Sequence, residues 1–298
     1  MLRWLTGRGA SPRAVERQAE TLTAEVWQAT LERHDFLAGL GADESESLRQ
    51  RTAWLLASKT FSAAQGLALT DTVRLSIAVQ AALPILALEP ERYEGWTEII
   101  VYPEGFLIPR QEVDEAGVVH EYLQEAAGEA WDGGPLVLSW HDVDQADGDM
   151  NVVIHEFAHK LDLHHGPADG QPDLSRHPEL QPRRWRQVLE RSFMSFQRAL
   201  HAVEAAIPRD VDPESEAADA WYGQLPLDPY AATDPAEFFA VSSEAFFVAP
   251  QGLVELLPDW YELLAGFYRQ DPWRRWRDYV DSTNMASAPA SGRLMPGN

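Results

Sequence analysis

The sequence predicts an α+β fold with N-terminal helices, a small mixed sheet, a buried helix carrying two histidines, and C-terminal helices that close the molecule. Three observations predict it. Residues 12 to 87 carry apolar side chains at helical spacing. After Pro90 the segments WTEIIVYP, GFLIPR and GPLVLSW are short, rich in branched and aromatic residues, and bounded by Gly or Pro, as strands are. From Pro182 onward the spacing is again helical.

Taken in order, Val15 to Arg33 sets Ala, Leu, Glu and Gln in helical register, and LRQRTAWLLASKTF continues the pattern through Leu48, Trp54, Leu55 and Phe61. Thr70 or Asp71 caps a third helix running to Leu83, with Pro84 near its end. Residues 111 to 132 are strongly acidic and read as a surface excursion; 208 to 220 read as a second hydrated loop. DVDQADGDM leads into the histidine helix, with Asp149 or Asn151 as its cap and Leu161 near its end. A long helix spans Pro182 to Ala206. Asp234-Pro235 opens the next one, with a cap followed by a first-turn proline. The aromatics Trp185, Trp260 and Trp273 are expected to pack in the interior.

Composition narrows the function classes. With 45% hydrophobic and 24% charged residues over 298 positions, the chain can bury a substantial core. Its 24 Lys+Arg against 47 Asp+Glu give a formal charge of -23, which repels nucleic acid and anionic lipid. It has no cysteine, so a metal site must use nitrogen and oxygen ligands. The N-terminus lacks a sustained apolar core, and Ile77 to Leu88 is interrupted by Gln80 and Pro84 and too short to span a bilayer, so a cytoplasmic location is expected.

The main chemical signal is His155-Glu156-Phe157-Ala158-His159. Residues four apart on a helix lie one turn apart, so His155 and His159 can offer both rings to one Zn2+, while Glu156 on the adjacent ridge can meet a metal-bound water as general base. The apolar VVI before the motif, with Phe157, Ala158 and Leu161, implies that this helix is largely buried, where unpaired imidazoles would be costly. An open zinc site needs a third protein ligand. Glu237 is the first choice, although at the N3 position it could instead complete a capping box with Asp234; Glu244, seven residues on along the same face, is the competitor. His165 has the spacing of a third histidine, but Asp162 replaces the glycine that lets the chain turn off the helix, so His165 reads as a loop residue and His164 lacks the spacing. Asp162 and Glu244 can orient the histidine rings.

The segments NVVIHEFAHKLD, LPLDPYAATDPAEFFAVSSEAFF, GPLVLSW and FYRQDP occur in an order that resembles the Mlc titration factor A family of zinc peptidases, whose catalytic region is related to the metalloprotease domain of anthrax lethal factor. The likeness covers most of residues 12 to 275. It implies a zincin-like fold with a helical region over 1–90 packed on a catalytic region over 91–283; the tail over 284–298 has little to bury and is expected to be mobile. It further implies one Zn2+ held by His155, His159 and Glu237, Glu156 as general base, and Tyr230 as hydrogen-bond donor to the developing oxyanion. The implied activity is peptide hydrolysis, aminopeptidase-like, on a peptide or protein substrate. The implied partner is a transcriptional repressor.

GPLVLSW could lie beside the cleft and offer backbone groups to an extended peptide, or be an ordinary core strand. Two rivals stand beside the peptidase: a protein-binding regulator with a structural or vestigial zinc site, and a metal hydrolase acting on a non-peptide amide.

Overall fold

The computed structural model describes residues 9–113, 119–144, 150–213 and 215–287. Asp149, part of each acidic loop and residues 288–298 of the tail lie outside them. Three helices open the chain: α1 (Pro12–Thr21), α2 (Ala24–Glu32) and α3 (Ala42–Ser58). Ser11 and Thr23 cap the first two by accepting from backbone N–H groups in the first turn. The helical pattern expected through Phe61 stops at Ser58, because Thr60–Ala63 form strand β1. A β-branched residue and an aromatic directly after a helix favour extended backbone, and a four-residue strand is too short to show a period. Helix α4 (Asp71–Ala82) follows, with Thr70 rather than Asp71 as its cap.

The sheet is mixed. Strands β2 (Glu98–Tyr102), β5 (Gly128–Ala130) and β6 (Leu136–Ser139) join β1 in the order β1-β2-β6-β5. The first three strands in that order run parallel, while β5 is antiparallel to β6. β1 lies before residue 90 and pairs with β2 after it, so the two sides of that position share one sheet. Between β2 and β5, β3 (Phe106–Val113) and β4 (Val119–Ala126) form a separate antiparallel hairpin where the acidic excursion was expected. Strand β6 is hydrogen-bonded on both sides, by β2 and β5. Of the two readings of GPLVLSW, the structure gives the ordinary core strand: its backbone groups are already paired, and β5 holds the sheet edge.

Beyond the short α5 (Trp140–Asp144), α6 (Val152–Asp162) carries the histidines. Its cap is Asn151, whose side chain accepts from the Ile154 N–H at 2.9 Å. Helix α7 (Pro182–Ala206) is followed by the short α8 (Asp219–Tyr222), then α9 (Pro235–Val248), α10 (Gln251–Leu256), α11 (Pro258–Tyr268) and α12 (Pro272–Ser287). Eleven of the fourteen α9 residues are buried, including Phe238, Phe239, Phe246 and Phe247, so this helix is apolar on nearly all sides and runs through the interior. Trp185 and Trp260 pack beside it, with ring centroids 5.0 Å apart, as expected of interior aromatics; Trp273 is only partly buried. Among the described residues no helix is long and apolar enough to cross a membrane.

One glycine ties three helices together. Gly170 donates its N–H to Asp162 at the end of α6 at 2.7 Å and accepts from the Trp185 indole of α7 at 2.8 Å. Its backbone has φ +75°, and a Cβ there would lie 2.4 Å from the Pro235 carbonyl oxygen at the start of α9. Gly170→Ala is therefore expected to destabilise the protein by about 2–4 kcal/mol. Urea unfolding measures this, and a midpoint equal to that of the unsubstituted protein would show that the close approach is absent.

Candidate functional site

Helices α6 and α9 bring the histidines against two glutamates. His155 Nε2 and His159 Nε2 lie 3.2 Å apart, and Glu237 Oε2 lies 3.2 Å from each. These three residues are a group whose ligand atoms all fall within 4.8 Å of one another. Asp234 caps α9 by accepting from the Ala236 and Glu237 N–H groups, but the Glu237 side chain turns to the histidines. The capping-box alternative for Glu237 is thereby settled by geometry. Glu244 sits nearly two turns along the same helix and pairs with the other face of His155, Nδ1 to Oε2 at 3.4 Å, while its second oxygen accepts from the Asn151 N–H. The Tyr230 hydroxyl donates to Glu237 Oε1 at 3.4 Å.

Glu156 points toward the sheet edge. It is 5% exposed, and its Cγ and Oε1 lie 2.5 Å from where a Cβ on Gly128 of β5 would stand. Only glycine allows that approach. Beside these residues lies a cleft of about 470 Å³, lined by Gly128, Glu129 and Ala130 of β5, by Met150 and by Tyr230.

The remaining candidates lie apart. The ring of His165 is 60% exposed and 3.6 Å from Asp173, and stacks on His164 at 4.4 Å. Asp162 bonds the Gly170 N–H rather than a histidine ring. Two supporting residues escaped the sequence reading. Gln80 of α4 accepts from the Asn151 side chain at 2.7 Å, and both residues are buried. The signal was present: Gln80 is a polar residue inside the apolar run from Ile77 to Leu88. Gly128 gave no such signal, because its role appears only when β5 meets α6.

Charge state follows from these contacts. Burial alone would lower the His155 pKa, but hydrogen bonds to Glu237 and Glu244, with Glu156 nearby, raise it well above the usual histidine range. Burial would raise Glu237, yet its bonds to His155 and His159 hold it well below the carboxylate range. Glu156 is raised, first by burial, with the two histidines only partly opposing, and its Oε2 is buried without a hydrogen-bond partner. The cluster therefore sets the His155 ring between two carboxylates, beside a buried acid whose pKa is shifted upward.

A family model described as glucose-regulated metallo-peptidase M90 matches residues 9–269. The chain is 37% identical over 270 residues to Mlc titration factor A of Pectobacterium atrosepticum, covering 90% of this chain and 94% of that protein. It is 36% identical to the protein of the same name from Serratia proteamaculans, covering 91% and 96%. With that of Yersinia enterocolitica it shares 33% identity over 98% of this chain and all of the relative.

These findings correct the expectations of a zinc peptidase, of aminopeptidase activity and of one Zn2+ as cofactor. The relatives carry a name that speaks of titrating a partner. His155 Nε2, His159 Nε2 and Glu237 Oε2 converge on one another, and His155 Nδ1 is turned to Glu244, which fixes the ring. The non-peptide hydrolase rival, which needs the same metal centre, is set aside with it.

Asp162 supplies a pH test of this region. Burial raises its carboxyl to about 7 against the Gly170 hydrogen bond that lowers it. The folded state thus holds this proton more tightly than the unfolded chain does, and the group subtracts stability as pH rises from its ordinary range through about 7. Asp162→Asn removes the titration. Relative to the unsubstituted protein it should gain about 1–3 kcal/mol on going from pH 5 to pH 8. Urea unfolding at both values checks this; a difference independent of pH would count against it.

Proposed function

The chain belongs to the glucose-regulated metallo-peptidase M90 family, and from that membership we propose that it is a protein-binding regulator that titrates a transcriptional repressor of the Mlc kind. The observation that carries this reading is that relatives bearing the name Mlc titration factor A match the chain over nine-tenths of its length or more. The cluster of His155, His159, Glu237 and Glu244 then serves as an internal clasp between α6 and α9 that holds the cleft in shape.

Several surface features support binding. On the β3–β4 hairpin, Leu107 pairs with Glu125 and Pro109 with Leu123, so Leu107 and Leu123 are diagonal neighbours on one face. They are 61% and 62% exposed. Met150 and Tyr230 are also exposed, and both border the cleft. Large apolar side chains grouped in this way favour a partner surface over solvent. A charge of -23 suits a repressor, since a DNA-binding protein presents a basic face, and opposite fields speed the encounter.

Calorimetric titration with a purified Mlc-type repressor tests the proposal. A complex with a dissociation constant of about 1 µM or tighter is expected. Leu107→Asp with Leu123→Asp should weaken it about tenfold or more, and Glu156→Gln should leave it unchanged. Absence of a complex at about 50 µM, together with peptide hydrolysis that depends on Glu156, would overturn the binding reading.

A further inference from the structure

Away from the cleft, three arginines converge where the turn Pro90–Tyr93, the loop after α6 and the end of α11 meet. Arg92 is 4% exposed, and a guanidinium at that depth has five N–H groups to satisfy. Its Nη1 donates to the Asp173 carbonyl at 2.8 Å, but Nε and Nη2 are buried without a hydrogen-bond partner. The Phe267 ring lies 5.6 Å from the guanidinium carbon and covers one face of the group.

Glu89 is the carboxylate set against this cluster, and it meets all three arginines at ion-pair distance but hydrogen-bonds to none of them. Arg92 Nε stands 3.8 Å from Glu89 Oε2, and Arg176 Nη1 and Arg269 Nη1 stand 3.7 and 3.9 Å from Oε1. Those separations exceed hydrogen-bond length, and Glu89 Oε2 is itself buried without a partner. The other nearby acid, Asp173, spends its oxygens on Ser175 at 2.9 and 2.8 Å and on His165 at 3.6 Å. His177 adds a further buried nitrogen, Nε2, that has no partner.

We infer that Arg92, Arg176 and Arg269 form a binding site for a small phosphate-type anion, free or as a monoester. Three guanidinia surround the place that the Glu89 carboxylate takes; Arg269 Nη2 donates to the Arg176 carbonyl at 2.6 Å, which leaves its Nη1 turned to that place, and a tetrahedral anion has the several charged acceptor oxygens that such a set matches. Water lacks that charge and offers only two lone pairs. Arg92 is the floor of the site, while Arg176 and Arg269, 56% and 37% exposed, form a rim open to solvent. Glu89, 35% exposed, occupies the position as an internal stand-in and can rotate outward when an anion arrives. The site is independent of repressor binding.

Inorganic phosphate is the first probe, with glycerol phosphate as the monoester. At fixed ionic strength, 10 mM phosphate should raise the melting temperature of the full chain by about 2–4 °C over chloride. Arg176→Ala, a change at an exposed side chain, should weaken the affinity about tenfold. Glu89→Gln should strengthen it several-fold, because the competing charge is gone. Tighter binding of glycerol phosphate than of phosphate would identify a monoester as the ligand class. Absence of a phosphate-specific shift, full retention of it in Arg176→Ala, or weaker binding in Glu89→Gln would each overturn the inference.

Discussion

Helices α6 and α9 meet through charge as well as hydrocarbon, and the rest of the architecture is arranged around that junction. His155 lies between Glu237 and Glu244, which sit seven residues apart on α9 and grip opposite nitrogens of the same ring. An unpaired imidazolium at this depth would be expensive, as would either carboxylate alone; together they compensate one another. The neighbouring elements supply the remaining partners. Asn151 caps α6 while donating its own N–H to Glu244, and Gln80 of α4 holds the Asn151 side chain. One polar chain thus links an N-terminal helix, the start of α6 and the middle of α9.

Around this polar seam the core is aromatic. Phe238 and Phe239 of α9 pack on Trp260 and Trp185. Phe157, on the other side of α6, packs edge-on against Tyr93 and Trp96. The helix that carries the histidines is therefore held in place by stacking on one side and by ionic pairing on the other. Such a helix is a rigid wall for the cleft, which suits a surface that must keep its shape for a partner.

Much of this was legible in the chain because the signals are local. A proline after a capping aspartate marks the start of α9, and the i, i+4 histidines on an apolar background mark α6. The seven-residue spacing of Glu237 and Glu244 placed both on one face, so their convergence on the histidines was within reach. What the motif could not convey was the pairing of His155 from both sides, since Glu237 and Glu244 reach its two nitrogens only when α9 packs against α6. Strand β1 was hidden by its brevity, and β4 by its acidic composition, whereas GFLIPR already marked the start of β3. The junction at Gly170 joins residues from three helices, and nothing in the neighbouring sequence announces it.

The borders of the four-stranded sheet have a further bearing on behaviour in a crowded solution. One border, β5, is three residues long and runs against its neighbour; the other, β1, is four residues long. Each leaves too few unpaired amides to recruit a strand from another molecule with any persistence, so lateral growth into fibrillar stacks is discouraged by the geometry of the rims themselves.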